Sequence, residues 1–474
     1  MPTDPRGLRA EAPLLDAWLR FHENPPTPFT IPGHKQRHDL VGDVVAGDVP
    51  LYAGLDTMKL TAGVLADAEA RAARLWGADV CRFSVGGATH ANQALALTLG
   101  SASGGSVVVS RTLHRSMLLG LVLAGLTPLW VHPEIDPATG LPLGVAAASV
   151  DAVLRAHPEA TAVLVGDPSY VGTVGDVAAL ADTAHTHGVP LVVDAAWAAH
   201  FGFHPELPRH ALQLGADAMV VSAHKTLPAW SQAAMVLAIG ERIDPARLDT
   251  GVDATHTTSP AGAILASIDA ARALLERDGE TLLGEAISAV RGARERLSDV
   301  DGLVVLDGPG VDPLKLTLVL RGTGADGIAV EHDLLAAGLP VEAAERDTIV
   351  AQVSLADTAG SLTQLVDTLV TSIARHRGSP RPVVTGAAYA VTPVTEMAPR
   401  TAFFAPRETV PLRDAIGRVS AELVAPYPPG IPVLAPGEQV TAAVLEALHS
   451  ARSAGIRIAY AADPTLDTLR VVTG

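Results

Sequence analysis

The sequence predicts an α/β fold built on a mostly parallel sheet. Short apolar runs alternate with helical segments from about residue 60 onward, and 48% of the 474 residues are hydrophobic while 18% are charged. Strands that are separated by helices normally run parallel, with helices covering both faces of their sheet. The chain is long enough for two to four domains of about 100–200 residues each, and its composition excludes wholesale disorder.

The first alternating unit supplies the main sheet. A helix is predicted over 62–76, and a second helix over 92–99 follows a glycine-rich turn. The predicted buried strands are apolar runs at 106–110, 127–131, 162–166, 190–194 and 218–222. Because ligands gather at the carboxyl ends of parallel strands, the polar residues directly after each strand are the candidate site.

A second and smaller alternating unit follows. Strands are predicted at 315–319 and 349–353, with helices at 330–337 and 362–373. The stretch 377–383 contains one Gly and two Pro and is typical of a linker. We therefore predict an N-terminal arm (1–55), a large domain that carries the candidate site (56–300), a small α/β domain (301–377) and a C-terminal domain (378–474).

The charge balance excludes one class of partner. Asp and Glu total 51 against 34 Lys and Arg, a net charge of −17, and no basic run is present. Binding to nucleic acid is therefore not expected. The acidic balance suits a cationic small molecule, although ordinary solubility explains it equally well.

Cysteine content and hydropathy indicate the compartment. Cys81 is the only cysteine, which excludes an internal disulfide and predicts a reducing cytoplasm. The first twenty residues lack the apolar core of a signal peptide. The longest apolar stretch, 117–131, is shorter than the ~20 residues of a membrane span, so we predict a buried helix that runs into a strand and no membrane insertion.

Only four lysines are present: Lys35, Lys59, Lys225 and Lys315. Lys225 lies directly after the predicted strand 218–222, where partial desolvation favours the neutral amine that attacks a carbonyl to form a Schiff base. The other three lack this context, since two lie in the arm and its junction and the third opens a small-domain strand. Lys225 is therefore the candidate nucleophile.

Two further features complete a cofactor hypothesis. Asp194 ends the strand 190–194, where a carboxylate suits the pyridine nitrogen of pyridoxal 5′-phosphate (PLP). The turn Gly86-Gly87 leads into a helix, whose first N–H groups suit a phosphate. Each feature alone is as well explained by a cap or a turn. Their order along successive strand ends favours PLP.

The sequence also resembles a known family. The motifs that carry this resemblance are 32–35 (PGHK), 54–56 (GLD), 167–172 (DPSYVG), 222–228 (SAHKTLP) and 426–432 (YPPGIP preceded by Pro), with 417–418 and 436–438 flanking the last. They resemble the fold-type I PLP-dependent enzymes and, among these, the bacterial-type ornithine/lysine/arginine decarboxylases, in a short form without the N-terminal wing domain. The resemblance extends from about residue 28 to 438.

The resemblance implies roles for individual residues. Lys225 would form the Schiff base, Asp194 would bind the pyridine nitrogen, and His114 would stack on the cofactor ring. The remaining cofactor contacts that it implies are the phosphate cup of Ala88, Thr89, Ser222 and His224, and a segment of the neighbouring subunit with Thr258 and Ser259. The enzyme would then be a homodimer or tetramer with shared active sites. Either Lys225 or His224 would return the proton to the α-carbon.

Departures from the family pattern leave the substrate open. Asp194-Ala195-Ala196-Trp197 stands where relatives commonly have Asp-Glu-Ala-His, and Gly86-Gly87-Ala88 stands where they have Asn-Gly-Thr/Ser. Candidate acceptors for the distal cation of a basic substrate are Asp56, Glu396 and Glu438. Arg418, on a helix predicted over 412–423, suits either a substrate carboxylate or an ordinary ion pair.

We therefore expect PLP-dependent decarboxylation of arginine, lysine or ornithine to a polyamine-related amine. Another PLP reaction on the same fold, by an aminotransferase or a lyase, is the alternative. A non-catalytic homologue with a regulatory role is the third reading, and the intact Asp194 and Lys225 argue against it. No metal site is expected, because the histidines outside this set lack cysteines or other ligands nearby.

Overall fold

The computed structural model describes residues 3–24, 27, 29–49, 54–55, 63–383, 386–427, 430–453 and 456–473. Asp56, Lys59, Pro428 and Pro429 lie outside the described residues. The predictions that rest on Asp56 and on the centre of the C-terminal motif therefore fall outside the described residues.

The described helices are α1 (Pro13–Glu23), α2 (His38–Val41), α3 (Val64–Leu75), α4 (Gly87–Leu99), α5 (Arg115–Ala124), α6 (Ala147–Ala156), α7 (Val177–Thr186), α8 (Ala223–Thr226), α9 (Pro245–Thr255), α10 (Gly262–Ser298), α11 (Gly327–Ala336), α12 (Ala359–Arg375), α13 (Pro399–Phe404) and α14 (Ala442–Ser453). The described strands are β1 (Val80–Ser84), β2 (Gly105–Ser110), β3 (Leu126–Val131), β4 (Ala160–Gly166), β5 (Leu191–Asp194), β6 (Ala218–Val221), β7 (Ala234–Ala238), β8 (Val304–Val305), β9 (Lys315–Val319), β10 (Ala343–Ala344), β11 (Thr348–Gln352), β12 (Arg407–Pro411), β13 (Ala425–Tyr427), β14 (Arg457–Ala459) and β15 (Thr468–Val472).

The main sheet has seven strands in the order β1-β7-β6-β5-β4-β2-β3. Strands β2 to β6 run parallel to one another, and β7 alone is antiparallel to both of its neighbours. The prediction of a mostly parallel sheet is confirmed. Strands β1 and β7 were not predicted, because Arg82 interrupts the apolar run of β1 and only the single turn α8 and a loop separate β7 from β6.

Most predicted boundaries agree with the structure to within two residues, because fully buried strands are continuous apolar runs between turns. The helix predicted over 412–423 is wrong. A 3₁₀ turn covers Leu412–Ala415, and Gly417 then adopts a φ of +82°, which no helix accommodates. Val419 and Ser420 instead form isolated bridges with Gln439 and Val471.

Helix α10 connects the cores of two units. It has 37 residues, and its first part packs into the core of the main sheet while Ala293 and Leu297 belong to the core of the small unit. That small unit contains a four-stranded sheet in the order β10-β11-β9-β8, which is antiparallel throughout. The division into four domains stays a prediction.

The N-terminal segment is attached to the main unit through α1. The Leu14 N–H donates to Asp269 Oδ2 at 2.8 Å, and Asp269 is buried beside Arg272 at 2.6 Å. The C-terminal segment has its own apolar core and two small sheets, β12 with β15 and β13 with β14. Among the described residues, no helix is long and apolar enough to cross a membrane.

Candidate active site

The site lies where the carboxyl ends of β5 and β6 face the beginnings of α4 and α5. β5 ends on Asp194, which pairs in register with Val220 of β6. β6 is followed by Ser222 and by the single turn α8, which carries Lys225. Adjacent parallel strands therefore place the carboxylate and the amine at one edge of the sheet.

Asp194 is held by a buried hydrogen-bonded chain. Asn92 Nδ2 donates to Asp194 Oδ2 at 2.8 Å and to Ser116 Oγ at 3.0 Å. Ser116 Oγ lies 2.9 Å from His114 Nδ1. Sequence analysis missed Asn92 and Ser116, although an Asn in the second turn of an apolar helix is a signal for a buried polar contact. The chain fixes the Asp194 carboxylate relative to the His114 ring.

His114 begins α5 and caps it. Ser116 N–H donates to His114 Nδ1 at 3.3 Å. Burial lowers the pKa of His114, while the charge of Asp194 opposes this effect. The ring is therefore neutral near pH 7, and its position is set by α5.

Lys225 lies in a largely desolvated environment. Burial lowers the pKa of Lys225, and the charges of Asp194 and Glu342 partly oppose that lowering. The Nζ atom lies 4.0 Å from the centroid of the Trp197 ring. A lowered pKa increases the fraction of neutral, nucleophilic amine at a given pH.

His224 precedes this lysine and is anchored to the backbone. Its Nδ1 lies 2.8 Å from the carbonyl oxygen of Ala233, and burial lowers its pKa. A carbonyl only accepts, so Nδ1 carries the proton and Nε2 of the neutral ring is an acceptor.

The residues predicted to hold a phosphate fit that group. Gly86 and Gly87 begin α4, and Gly87 has a φ of +68°. Ala88 and Thr89 lie in the first turn of α4, where helix N–H groups have no partner within the helix. Within the described part of the chain, Ser222 Oγ is buried and has no hydrogen-bond partner. A phosphate oxygen is an acceptor for such a donor.

Thr258 and Ser259 lie on the exposed loop between α9 and α10. Their predicted contact with a neighbouring subunit stays a prediction. Among the described residues, no group of three or more His, Cys, Asp or Glu side chains is arranged to hold a metal ion.

Glu438 has a different role from the one expected. Arg111 Nη1 donates to its Oε1 at 2.6 Å and Arg111 Nη2 donates to its Oε2 at 2.9 Å. The Ala435 N–H also donates to Oε2. Both carboxylate oxygens of Glu438 are occupied and both side chains are buried, so this residue joins the C-terminal segment to the large domain instead of receiving a substrate cation.

The other two described substrate candidates lie on the surface. Glu396 is exposed, and its backbone N–H donates to the carbonyl of Gly437. Arg418 donates to Glu408 Oε1 at 2.6 Å and to the carbonyl of Val472 at 3.0 Å. Of the two roles considered for Arg418, the structure supports the ordinary ion pair.

Two residues of the small unit, Lys315 and Glu342, complete the site together with Tyr170 of the 167–172 motif. Lys315 Nζ lies 3.7 Å from the Trp197 ring centroid and 5.9 Å from that of Tyr170. Tyr170 Oη donates to Glu342 Oε1 at 3.1 Å. The expectation that Lys315 lacks a site context is wrong. A lysine that opens a fully apolar strand was the available signal.

A cavity of about 640 Å³ lies beside Tyr170, between the small unit and the C-terminal segment. Its wall includes Glu345, Tyr389, Pro426 and Ile431. Burial raises the pKa of Glu345 to about 7. The ends of the C-terminal motif therefore contribute to the wall of a cavity that adjoins the site.

Comparison with protein families matches two parts of the chain. Residues 12–319 match the major domain of Orn/Lys/Arg decarboxylases, and residues 383–457 match the C-terminal domain of these enzymes. The chain belongs to the Orn/Lys/Arg decarboxylase family.

Relatives in this family match nearly the whole chain. An arginine decarboxylase of Halalkalibacterium halodurans is 32% identical over 481 residues, with 98% of both chains covered. An arginine decarboxylase of Bacillus subtilis is 30% identical, again with 98% of both chains covered. The lysine decarboxylase LdcA of Pseudomonas aeruginosa is 26% identical over 82% of this chain and 67% of its own.

Solved structures show the fold. Lysine decarboxylase A from Pseudomonas aeruginosa superposes with a TM-score of 0.83 at 23% identity, over 98% of this chain and 81% of its own. The constitutive lysine decarboxylase of E. coli superposes with a TM-score of 0.79 at 20% identity, over 98% of this chain and 82% of its own. A Sphingomonas wittichii serine palmitoyltransferase superposes with a TM-score of 0.57 at 15% identity, over 78% of this chain and 85% of its own.

The Orn/Lys/Arg decarboxylase described here uses PLP to decarboxylate a basic amino acid. The predictions of family, fold class, cofactor and enzyme class are thereby confirmed. The family assignment favours decarboxylation over an aminotransferase or lyase reaction, and over a non-catalytic role.

Proposed function

We propose that this decarboxylase acts on arginine and that Lys225 is the residue that binds PLP. The observation that carries the proposal is the buried pair of Asp194 and Lys225 at adjacent strand ends, with Trp197 against the lysine. PLP supplies an electron sink for the bonding electrons that the leaving carboxyl group releases. The protein supplies orientation, a dry environment and a proton.

Asp194 would bind the pyridine nitrogen, and Asn92 orients its carboxylate for that contact. Ser222 and the first turn of α4, with Ala88 and Thr89, would hold the phosphate. His114 would lie against the ring as a neutral group, since burial lowers its pKa. These groups come from four elements of one packed unit, so they are preorganised.

Lys225 is the better proton donor to the α-carbon. His224 carries its proton on Nδ1, which is bonded to the carbonyl of Ala233, and burial lowers its pKa. Its free Nε2 therefore accepts and does not donate near pH 7. The flexible Lys225 side chain ends in an amine, which can both accept a proton and donate one.

Glu342 is proposed as the acceptor for the distal cation of the substrate. Asp194 and Glu342 are the two carboxylates whose charges raise the pKa of Lys225 against burial. Asp194 is already engaged by Asn92, whereas Glu342 is exposed and, among the described side chains, accepts a hydrogen bond from Tyr170 alone. A guanidinium suits a carboxylate with a free edge. Arginine is favoured over lysine because the arginine decarboxylases align at higher identity and over more of both chains.

The protein is proposed to act as a homodimer or tetramer in the cytoplasm. Thr258 and Ser259 lie on an exposed loop and would reach the phosphate site of a neighbouring subunit. The only cysteine, Cys81, is buried, which fits a reducing compartment. Sedimentation equilibrium with and without PLP tests the assembly, and a monomer that binds PLP fully contradicts it.

One experiment tests the proposed substrate. Purified protein is loaded with PLP and supplied in parallel with arginine, lysine and ornithine, and carbon dioxide and product amine are measured. We expect arginine to give the highest kcat/KM. A preference for lysine or ornithine would refute the substrate. A keto acid as product would refute decarboxylation.

A further inference from the structure

The indole of Trp197 lies against two lysine amines. Lys225 Nζ lies 4.0 Å and Lys315 Nζ lies 3.7 Å from the same ring centroid. The two nitrogens are therefore less than about 8 Å apart. One lysine comes from the main sheet and the other from the first residue of β9.

Lys315 cannot leave this position without a rearrangement. Its side chain is fully buried, and a Cβ placed on Gly172 would approach Lys315 Cβ to 2.6 Å. Arg294 Nη2 donates to the carbonyl oxygens of Asp312 and Lys315 at 3.2 and 3.0 Å. Arg294 thus stabilises the turn that places Lys315 against Trp197.

The charged groups around Lys315 do not neutralise it by direct contact. Among the described residues, Lys315 Nζ has no hydrogen-bond partner. Asp312 accepts from His200 at 3.0 Å and from the Leu314 N–H at 2.9 Å through Oδ1. Asp312 and Glu342 raise the pKa of Lys315, while burial and the charge of Lys225 lower it, to about 8. Lys315 is therefore mostly charged at pH 7.

We propose that Lys315 is a positioning residue. Its buried positive charge, held against Trp197, disfavours protonation of Lys225 and of the bond between Lys225 and PLP. The proposal deepens the assignment of Lys225 as the PLP-binding residue and rests on it. A second cation close to a nucleophilic lysine, in a site with little water, favours the neutral form of that lysine. Both amines contact the same Trp197 ring, so this ring holds them near each other.

The size of the effect follows from the separation. Two unit charges about 8 Å apart at an effective dielectric constant of about 20 change a pKa by about 1.5 units. Removal of the Lys315 charge should therefore raise the pKa of the protonated link between Lys225 and PLP by about 1.5 units. High salt should leave most of this shift intact, since the pair is buried.

The test is a spectroscopic pH titration of the PLP-loaded protein. The visible band of bound PLP changes position when its link to Lys225 loses a proton, and this readout does not require turnover. We expect K315M to titrate about 1.5 pH units higher than the unsubstituted protein, and we expect K315R to titrate near the unsubstituted protein. Equal titration of K315M and the unsubstituted protein would overturn the proposal.

R294M is the matched structural control. It removes a buried cation that holds the same turn through its carbonyls, but that cation does not contact Trp197. A lower melting temperature with an unchanged PLP titration is expected for R294M. A PLP shift in R294M equal to that in K315M would mean that the turn matters and the Lys315 charge does not.

A second measurement covers the case in which K315M does not fold. Only four lysines are present, so ¹³Cε-labelled lysine gives four resonances in protein without PLP. Coupling between two sites is reciprocal, so K225A should raise the pKa of Lys315 by a similar amount. An unchanged Lys315 titration in K225A would refute the coupling. Absence of any linked PLP band in the unsubstituted protein would refute the proposed function instead.

Discussion

The two lysines that share Trp197 enter the site from different units. Lys225 follows a parallel strand of the main sheet, within a short stretch that also contains Ser222 and His224. Lys315 opens a strand of the small antiparallel sheet, about ninety residues later. The first is recognised from local context, whereas the second becomes part of the site only through packing between units. We propose that the residues around the main sheet carry the cofactor chemistry and that the small unit modulates it.

The largest expected effect is on the large-domain side. K225A should abolish the linked PLP band and reduce kcat/KM by about 10³-fold or more, because the nucleophilic amine is lost. Absorbance and single-turnover carbon dioxide release measure both. K315M should retain the linked band. Loss of that band in K315M would contradict the proposal that Lys225 binds PLP while Lys315 only modulates this link.

The second prediction concerns stability and pH. Burial lowers the pKa of Lys315 to about 8 from its ordinary 10.5, so the unfolded chain binds more protons than the folded one between these values. The free energy of unfolding should therefore rise between about pH 8 and pH 10.5, by about 3 kcal/mol from this residue. Denaturant titrations of K315M and the unsubstituted protein test this. The rise should be smaller in K315M, and equal slopes would contradict it.

Glu342 tests the small-domain side with substrate. E342Q should raise KM for arginine about tenfold with a small change in kcat, because a charge-assisted contact to the substrate cation is lost. Steady-state kinetics with arginine measure this. Y170F, which removes the partner hydroxyl of Glu342 and keeps its charge, is the matched control. An unchanged KM in E342Q would place the acceptor elsewhere.

The smallest effect is expected at Arg418, in the C-terminal segment and away from the two lysines. R418A removes a half-exposed ion pair with Glu408 and should change the free energy of unfolding by less than about 1 kcal/mol. KM for arginine should be unaffected. A clear rise in KM would instead support a contact between Arg418 and the substrate carboxylate.

The fold and the cofactor side could be predicted because their signals are local. Apolar runs between turns predicted five of the seven main strands, and polar residues at their ends predicted Asp194 and Lys225. Glu438 and Arg418 were less predictable, since a carboxylate or a guanidinium near a motif does not reveal its partner. The partner of Glu438, Arg111, is distant in sequence, and the partner of Arg418, Glu408, lies on β12.

The sequence by itself determined the α/β class and the PLP chemistry, and it predicted Lys225 as the lysine that performs this chemistry, because strand periodicity and short motifs act over a few residues. The tertiary structure alone decided the roles of Asn92, Ser116, Glu342 and Lys315. Each of these depends on contacts between elements far apart in the chain. In a packed interior, burial and neighbouring charges set the protonation of a side chain, and neither can be read from its immediate neighbours in sequence.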